Sequence, residues 1–213
     1  MELHELLKFT LSLFAIVDPV GIIPVFFAAT EGFSAGQRKA AAWVAAVTVL
    51  GVLVVFAFGG TMLLDIFGVR LASFSVGGGM ILLMLAVSMA QARISPIRQT
   101  PEEAREAMEK QAVGAVPLGV PLLAGPGAIT HVIVTSSGGG TAEWLRHLSL
   151  IPSIVVVAFS VWLCFRLSPV IARRLGTTGI HVVTRLMGLI IAGIAIEMIA
   201  RGLAQLFPGL LGN

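Results

Sequence analysis

An apolar segment near the N-terminus is interrupted at Asp18-Pro19-Val20-Gly21-Ile22-Ile23-Pro24. The two prolines lack an N–H group and release carbonyl groups from helical pairing, and glycine weakens a helix further. A carboxylate at this depth in a bilayer costs at least about 2.5 kcal/mol on insertion scales and is usually retained for function. We therefore predict a broken helix here, because irregular backbone is tolerated in a membrane only where protein or a wet cavity surrounds it.

The composition of the remaining chain places this segment in a membrane. Of 213 residues, 57% are hydrophobic and only 12% are charged, and the mean hydropathy is +0.98, whereas about a quarter of a soluble domain is charged. Since a spanning helix needs about 20 apolar residues, we predict six spans, at residues 6–30, 39–63, 70–91, 113–136, 147–168 and 183–206. The connections are too short for a soluble catalytic or nucleic-acid-binding domain.

A second interruption in the fourth span reveals an internal repeat. The stretch Val116-Pro117-Leu118-Gly119-Val120-Pro121-Leu122-Leu123-Ala124-Gly125-Pro126-Gly127-Ala128-Ile129-Thr130 is equally rich in proline and glycine. Three pairs of segments align at nearly one offset: residues 18–23 with 125–130 at 107, 64–68 with 172–176 at 108, and 79–89 with 188–198 at 109. Each half contains three spans, so the second half must enter the membrane from the opposite side.

The predicted fold is therefore an all-α membrane protein of six transmembrane helices, arranged as two inverted three-helix repeats with the first and fourth helices broken. The first repeat comprises residues 1–98 and the second comprises residues 113–213. Residues 99–112 form a cytoplasmic loop with a short, charged helix over residues 101–110. A capping box at Ser34-Ala35-Gly36-Gln37 predicts a helix start after the first span.

The distribution of basic residues predicts the orientation. Ten of the 14 lysines and arginines lie in the connections after the first, third and fifth spans or at the span ends beside those connections. The other four, Lys8, Arg70, Arg146 and Arg201, lie on the opposite side. Because basic residues concentrate in cytoplasmic loops, both termini are expected to face the periplasm or the cell exterior.

The two breaks suggest one binding site. The half-helix after each break presents free N–H groups and a positive dipole end to an anion, while released carbonyls and Asp18 suit an ammonium group or a cation. Such a pocket suits a small zwitterion. The candidate substrate-binding residues are Asp18, Pro19, Gly21, Pro24, Gly125, Pro126, Gly127 and Thr130. In the alternative interpretation, proline and glycine merely kink the spans, and a neighbouring hydroxyl satisfies Asp18.

Other polar residues have two interpretations each. Glu197 lies one turn before Arg201, which favours an i,i+4 ion pair near the outer membrane end. The alternative is a proton-carrying carboxyl, so Asp18 and Glu197 are the candidates for proton or ion coupling. His131 follows the second break and is expected to be a hydrogen-bonded structural residue, with a ligand role as the alternative. Close helix contacts are expected at Gly77, Gly78, Gly79, Gly188 and Gly193.

Both interrupted stretches resemble the MarC family of six-span integral membrane proteins, and the resemblance covers essentially the whole chain. One branch of that family transports small neutral amino acids such as glycine and alanine. The resemblance implies a multi-pass carrier of the prokaryotic inner membrane. The two inverted halves suit alternating access, so we expect a secondary transporter. Its expected partners are the lipid bilayer and a small, neutral, amino-acid-like substrate, with no nucleic acid and no cofactor or metal.

A membrane channel and an embedded enzyme are the alternatives. An intramembrane aspartyl protease needs two facing aspartates, and Asp18 is the only aspartate deep in a span. The one Gly-x-Ser-x-Gly pattern, at residues 32–36, lies in the predicted capping box at a helix start and does not follow a strand, as the elbow of a serine nucleophile would. A single cysteine, Cys164, excludes a disulfide within the chain and a thiolate metal site. A channel would need repeated rings of carboxylates or carbonyls, so a carrier without enzymatic activity is favoured.

Overall fold

The computed structural model describes residues 3–30, 32–91, 123–137 and 143–211, and all the regular elements in these ranges are helices. In chain order they are α1 (Leu3–Val17), α2 (Ile23–Ala29), α3 (Ala35–Ile66), α4 (Leu71–Ala90), α5 (Pro126–Ser136), α6 (Glu143–Arg166), α7 (Ser168–Leu206) and a final 3-10 turn (Pro208–Leu211). The all-α prediction is confirmed for these ranges. The predicted loop helix at residues 101–110 and the first half of the fourth span lie outside the described residues.

Four of the described helices are long and apolar enough to cross a bilayer: Ala35–Ile66, Leu71–Ala90, His147–Arg166 and Thr178–Leu206. Large apolar side chains such as Trp43, Val55, Phe159 and Leu189 are exposed on their outer faces. Helices that are apolar on the outside as well as the inside are typical of a lipid environment. The protein is a multi-pass integral membrane protein.

Helix α3 begins earlier than the apolar pattern predicts because it is capped. The Ser34 Oγ accepts a 3.3 Å hydrogen bond from the Gln37 N–H, and the Ser34 N–H donates at 2.9 Å to Gln37 Oε1. This reciprocal pair is the predicted capping box. It satisfies helix-terminal N–H groups that lie outside the apolar run, so the helix extends N-terminally to Ala35.

The last helix also starts earlier than predicted, at Ser168 rather than near residue 183, and it contains a kink. Gly176 interrupts it with φ 61° and ψ −176°, so a short helical segment precedes the apolar Thr178–Leu206 span. Gly68, directly after α3, has φ 65°. These two glycines stand 108 residues apart, at the repeat offset, and both adopt a left-handed conformation that glycine reaches at little cost.

Helices α4 and α7 pack against each other in antiparallel directions through small residues. A β-carbon added to Gly79 would lie 2.9 Å from the Ala195 carbonyl oxygen, and one added to Gly188 would lie 3.0 Å from the Ala86 carbonyl oxygen. Gly188 and Ala195 are each 109 residues beyond Gly79 and Ala86. The two contacts are therefore equivalent under exchange of the halves, as a local two-fold axis requires.

The prediction of close helix contacts is confirmed at Gly78, Gly79 and Gly188, but it is wrong at Gly77 and Gly193. No described atom lies within 4 Å of a β-carbon built on either of these two residues. The helical period explains the difference, because Gly77 is two residues from Gly79 and so points to the other side of α4. An apolar, glycine-rich run does not reveal which of its members faces a neighbour.

The interior of the bundle encloses the first interruption. Ile16 and Val17, at the end of α1, are buried. On the other side of the interruption, Phe26 of α2 stacks on Phe165 of α6 with 4.1 Å between ring centroids. The chain therefore leaves one helix and starts the next inside protein, where its free backbone groups are shielded from lipid.

Candidate functional site

The first span is broken at the predicted place. Helix α1 ends at Val17 and α2 begins at Ile23, and the chain between them turns, with the Ile23 N–H donating to the Val20 carbonyl at 3.1 Å. Asp18 has φ 44°, a left-handed conformation that aspartate and asparagine tolerate better than most residues. Its side chain is only 2% exposed, so a carboxylate is buried at the break.

Residues around Asp18 hold its carboxylate close to the backbone. The Gly21 N–H donates a 3.1 Å hydrogen bond to Asp18 Oδ1. A β-carbon built on Gly21 would lie 2.8 Å from Asp18 Cγ and 2.8 Å from Thr184 Oγ1. Thr184, on α7, therefore brings a hydroxyl group from the second half of the chain to the first break. Sequence reasoning missed Thr184, because an isolated threonine in an apolar helix carries no distinguishing signal.

Helix α5 begins directly after the second predicted break, at Pro126. Gly125, with φ −66° and ψ 174°, is the N-cap residue of α5, and Pro126 occupies the first turn without a side-chain cap. Proline is favoured there because its missing N–H would have no helical partner. The Thr130 Oγ1 donates at 2.8 Å to the Pro126 carbonyl oxygen. The structure thus describes the half-helix after the break, while residues 113–122 before it lie outside the described ranges.

The two breaks approach each other in the interior. A β-carbon built on Gly127 would lie 3.6 Å from Ile16 Cγ2 and 2.5 Å from Leu82 Cδ2. Ile16 is two residues before Asp18. Because Gly127 has no side chain, the start of α5 packs directly against the end of α1 and against Leu82 of α4.

The predicted site residues are not equally close to this junction. Asp18, Pro19, Gly127 and Thr130 are buried, Gly21 and Gly125 are half-buried, and Pro24 and Pro126 are exposed. The Thr130 hydroxyl is hydrogen-bonded within its own helix, and its methyl group packs against Gly78 of α4. The exposed prolines lie in the first turns of α2 and α5, whereas the buried residues lie at the junction itself.

A cavity of about 630 Å³ lies at the end of the bundle that carries both termini. Its lining comes from α1, α4, α5 and α7: Glu5, Lys8, Phe9, Ser12, Ser75, His131, Val134, Thr135, Gly193, Ile194, Glu197, Met198 and Arg201. Asp18 is not part of this lining. The two predicted coupling carboxylates, Asp18 and Glu197, therefore lie in different places.

Glu197 and Arg201 form the predicted ion pair at the mouth of this cavity. The Arg201 Nε donates at 2.8 Å to Glu197 Oε1, and the two side chains are 74% and 62% exposed, in that order. An exposed pair of this kind is worth about 0–1 kcal/mol. The predicted ion pair is confirmed.

His131 lines the cavity without the expected hydrogen bond. Its ring stacks on Phe9 with 5.4 Å between centroids and an interplanar angle of 17°. Its buried Nε2 has no hydrogen-bond partner among the described residues. Within the same ranges, no group of three or more His, Cys, Asp and Glu side chains is arranged to hold a metal ion.

Comparison with known proteins identifies the family. Residues 3–207 match the family described as "MarC family integral membrane protein". The chain is 37% identical over 210 residues to UPF0056 membrane protein BU267 of Buchnera aphidicola, which covers 99% of this chain and 97% of that protein. It is 37% identical over 204 residues to UPF0056 membrane protein YhcE of Escherichia coli, covering 96% and 94% of the two chains. It is also 35% identical over 200 residues to UPF0056 membrane protein YvbG of Bacillus subtilis, covering 93% of each.

No solved structure matches the chain. The family match and the relatives extend over both breaks and over every described membrane helix. These matches establish that the chain belongs to the MarC family of integral membrane proteins.

Proposed function

We propose that the protein is a secondary transporter of the prokaryotic inner membrane, which carries small neutral amino acids or similarly small metabolites by alternating access. The observation that carries this proposal is the junction where the end of α1, two residues before the buried Asp18, packs against the start of α5. Discontinuous helices at matching positions of two repeats are the usual location of a midplane transport site.

The chemistry of the junction suits a small zwitterion. The Asp18 carboxylate is the group that would bind an ammonium, and the free N–H groups at the start of α5 would bind a carboxylate. Both Gly21 and Gly127 have neighbours at or inside contact distance of a β-carbon. Such close packing disfavours a substrate with a large side chain, which agrees with glycine or alanine.

Alternating access would follow from the two related halves. We propose six spans in two inverted repeats, residues 1–98 and 113–213, with both termini outside the cytoplasm. The antiparallel contact of α4 with α7 through Gly79 and Gly188 supports this arrangement, as do the matching left-handed glycines Gly68 and Gly176. In this orientation the 630 Å³ cavity is the outward access route to the junction.

Counterflow in liposomes tests the proposal. Vesicles containing the purified protein are preloaded with unlabelled glycine or alanine, diluted into a trace of the labelled amino acid, and compared with protein-free vesicles. A carrier predicts transient accumulation of label that saturates with substrate and requires the internal amino acid. Flux without saturation and without trans-stimulation would identify a channel, and chemical conversion of the amino acid would identify an enzyme.

A further inference from the structure

The cavity at the terminal end of the bundle combines charges of both signs around its mouth. Glu5 and Lys8 come from α1, and Glu197 and Arg201 come from α7. All four side chains are exposed. With His131 neutral, the lining has no net formal charge, so a solute with a net charge meets as much repulsion as attraction, whereas a zwitterion can orient both of its ends favourably.

The cavity lining contains a buried polar atom without a partner. The Nε2 of His131 is buried and has no hydrogen-bond partner among the described residues. The half-buried Ser12 and Thr135 belong to the same lining and carry hydroxyl groups. Buried polar groups are normally satisfied by protein, water or a ligand. The unpaired His131 Nε2 therefore points to an occupant with hydrogen-bonding capacity.

The size and walls of the cavity limit that occupant. A volume of about 630 Å³ falls within the range of about 300–1,000 Å³ for small-molecule sites. Phe9, Val134 and Ile194 supply apolar side chains to the same lining. A lining that combines apolar side chains, a buried unpaired nitrogen and exposed charges of both signs fits a small solute with polar ends.

We propose that this cavity is a second binding site, which takes small zwitterions such as neutral amino acids and is separate from the Asp18 junction. His131 Nε2 is its inner hydrogen-bonding group, and the charged rim orients the ammonium and carboxylate ends. Ser12 lies five residues before Val17, the last residue of α1, which is about 7.5 Å along a helix, and Asp18 is not part of the cavity lining. A solute bound here is therefore distinct from one bound at the junction. The choice of glycine and alanine as probes rests on the proposed function, but binding in the cavity does not require transport.

Protection of an introduced cysteine tests this site independently of transport. In a Cys164→Ala background that also carries Asp18→Asn, Ser12→Cys is placed in the cavity and labelled with a membrane-impermeant thiol reagent. The vesicles are made of phosphatidylglycerol, so that no lipid ammonium group competes for the site. Val69→Cys, in the connection between α3 and α4 and outside the cavity lining, is the matched control.

The expected result is that millimolar glycine or alanine slows labelling of Ser12→Cys at least threefold and leaves labelling of Val69→Cys unchanged. Acetate and methylamine, which carry one charge each, should protect much less. If Ser12→Cys does not fold, Val134→Cys reports on the same cavity. Labelling that is equally fast with and without the amino acids overturns the second site, as does equal protection by the singly charged compounds.

Variants of His131 test whether its side chain binds the solute. His131→Leu removes the hydrogen-bonding group and should raise the glycine concentration for half-protection roughly tenfold, the scale of one lost hydrogen bond. His131→Gln keeps a hydrogen-bonding amide and should recover part of the affinity, whereas His181→Leu, an exposed histidine outside the lining, should change nothing. Equal half-protection in all three variants overturns the assignment of His131. Loss of counterflow with intact protection would overturn the transport proposal and leave the cavity site standing.

Discussion

Gly21 and Asp18 are hydrogen-bonded to each other at the first break, where the Gly21 N–H donates at 3.1 Å to Asp18 Oδ1. The left-handed backbone of Asp18, with φ 44°, turns its carboxylate back over the residues that follow it. The position of the charge therefore depends on Asp18 for the group itself and on Gly21 for the space and the N–H donor. Substitutions at Asp18 and at Gly21 separate the contribution of the charge from that of its position.

Asp18→Asn should abolish most transport while the protein still inserts and folds. Asparagine matches aspartate in size and also tolerates the left-handed region, so the change removes charge alone. A charge-assisted hydrogen bond is worth about 1.5–3 kcal/mol, which corresponds to a loss of roughly ten- to a hundredfold in initial uptake. The measurement is uptake of labelled glycine or alanine into liposomes containing equal amounts of each protein, with thermal stability recorded in parallel.

Asp65→Asn is the matched control, because Asp65 is exposed at the end of α3 and the substitution removes the same charge away from the junction. It should leave uptake unchanged. A purely structural Asp18 would give a different result, with Asp18→Asn as stable as the wild type or more so and with nearly normal uptake. That outcome would leave only the backbone ends of the broken helices as candidate ligands.

Gly21→Ala should impair transport by displacing the carboxylate without removing it. The new methyl group would come within 2.8 Å of both Asp18 Cγ and Thr184 Oγ1, so the Asp18 side chain must leave its present position. We expect uptake to fall at least tenfold while expression in the membrane persists. Gly51→Ala in α3 is the control, since nothing lies within 4 Å of its β-carbon. Equal uptake by both alanine variants would show that the Asp18 position does not matter.

Gly79→Ala should destabilise the protein, and Gly77→Ala on the same helix should not. The first substitution forces a methyl group to within 2.9 Å of the Ala195 carbonyl oxygen and 2.7 Å of Ile199 Cγ1, and overpacking of this kind costs about 1–3 kcal/mol. The second adds a methyl group in open space and should stabilise α4 by about 0.5–1 kcal/mol. Unfolding in detergent monitored by temperature should give opposite shifts, and identical shifts would contradict the close crossing of α4 and α7.

Both termini should face away from the cytoplasm. The cavity is lined by Glu5 near one terminus and Arg201 near the other, so the two ends of the chain lie at the same end of the bundle. The excess of basic residues is in the connections at the opposite end. A reporter that is active only in the cytoplasm, fused after Asn213, should give no signal, while the same reporter inserted after Gln91 should be active. A reversed pattern would invert the proposed orientation.

The sequence by itself determined the membrane class and the place of the first break. Membrane spans can be recognised in the sequence because the thickness of the bilayer sets the number of apolar residues that each spanning helix needs. Proline and glycine beside Asp18 predicted the break at residues 18–22, because these residues act on their own backbone and need no distant partner. For the same reason the Ser34 capping box and the i,i+4 pair of Glu197 with Arg201 were predictable.

Contacts between distant segments were decided only by the tertiary structure. Thr184 lies at the first break although it is 163 positions after Gly21, and Gly79 rather than Gly77 faces α7. The cavity places His131 and Glu197 with α1 residues, away from Asp18. Helix rotation and crossing set these relationships, and in a chain that is apolar on all sides of its helices no polar face marks which side turns inward. Local backbone chemistry thus located the first break, and packing between helices determined what surrounds it.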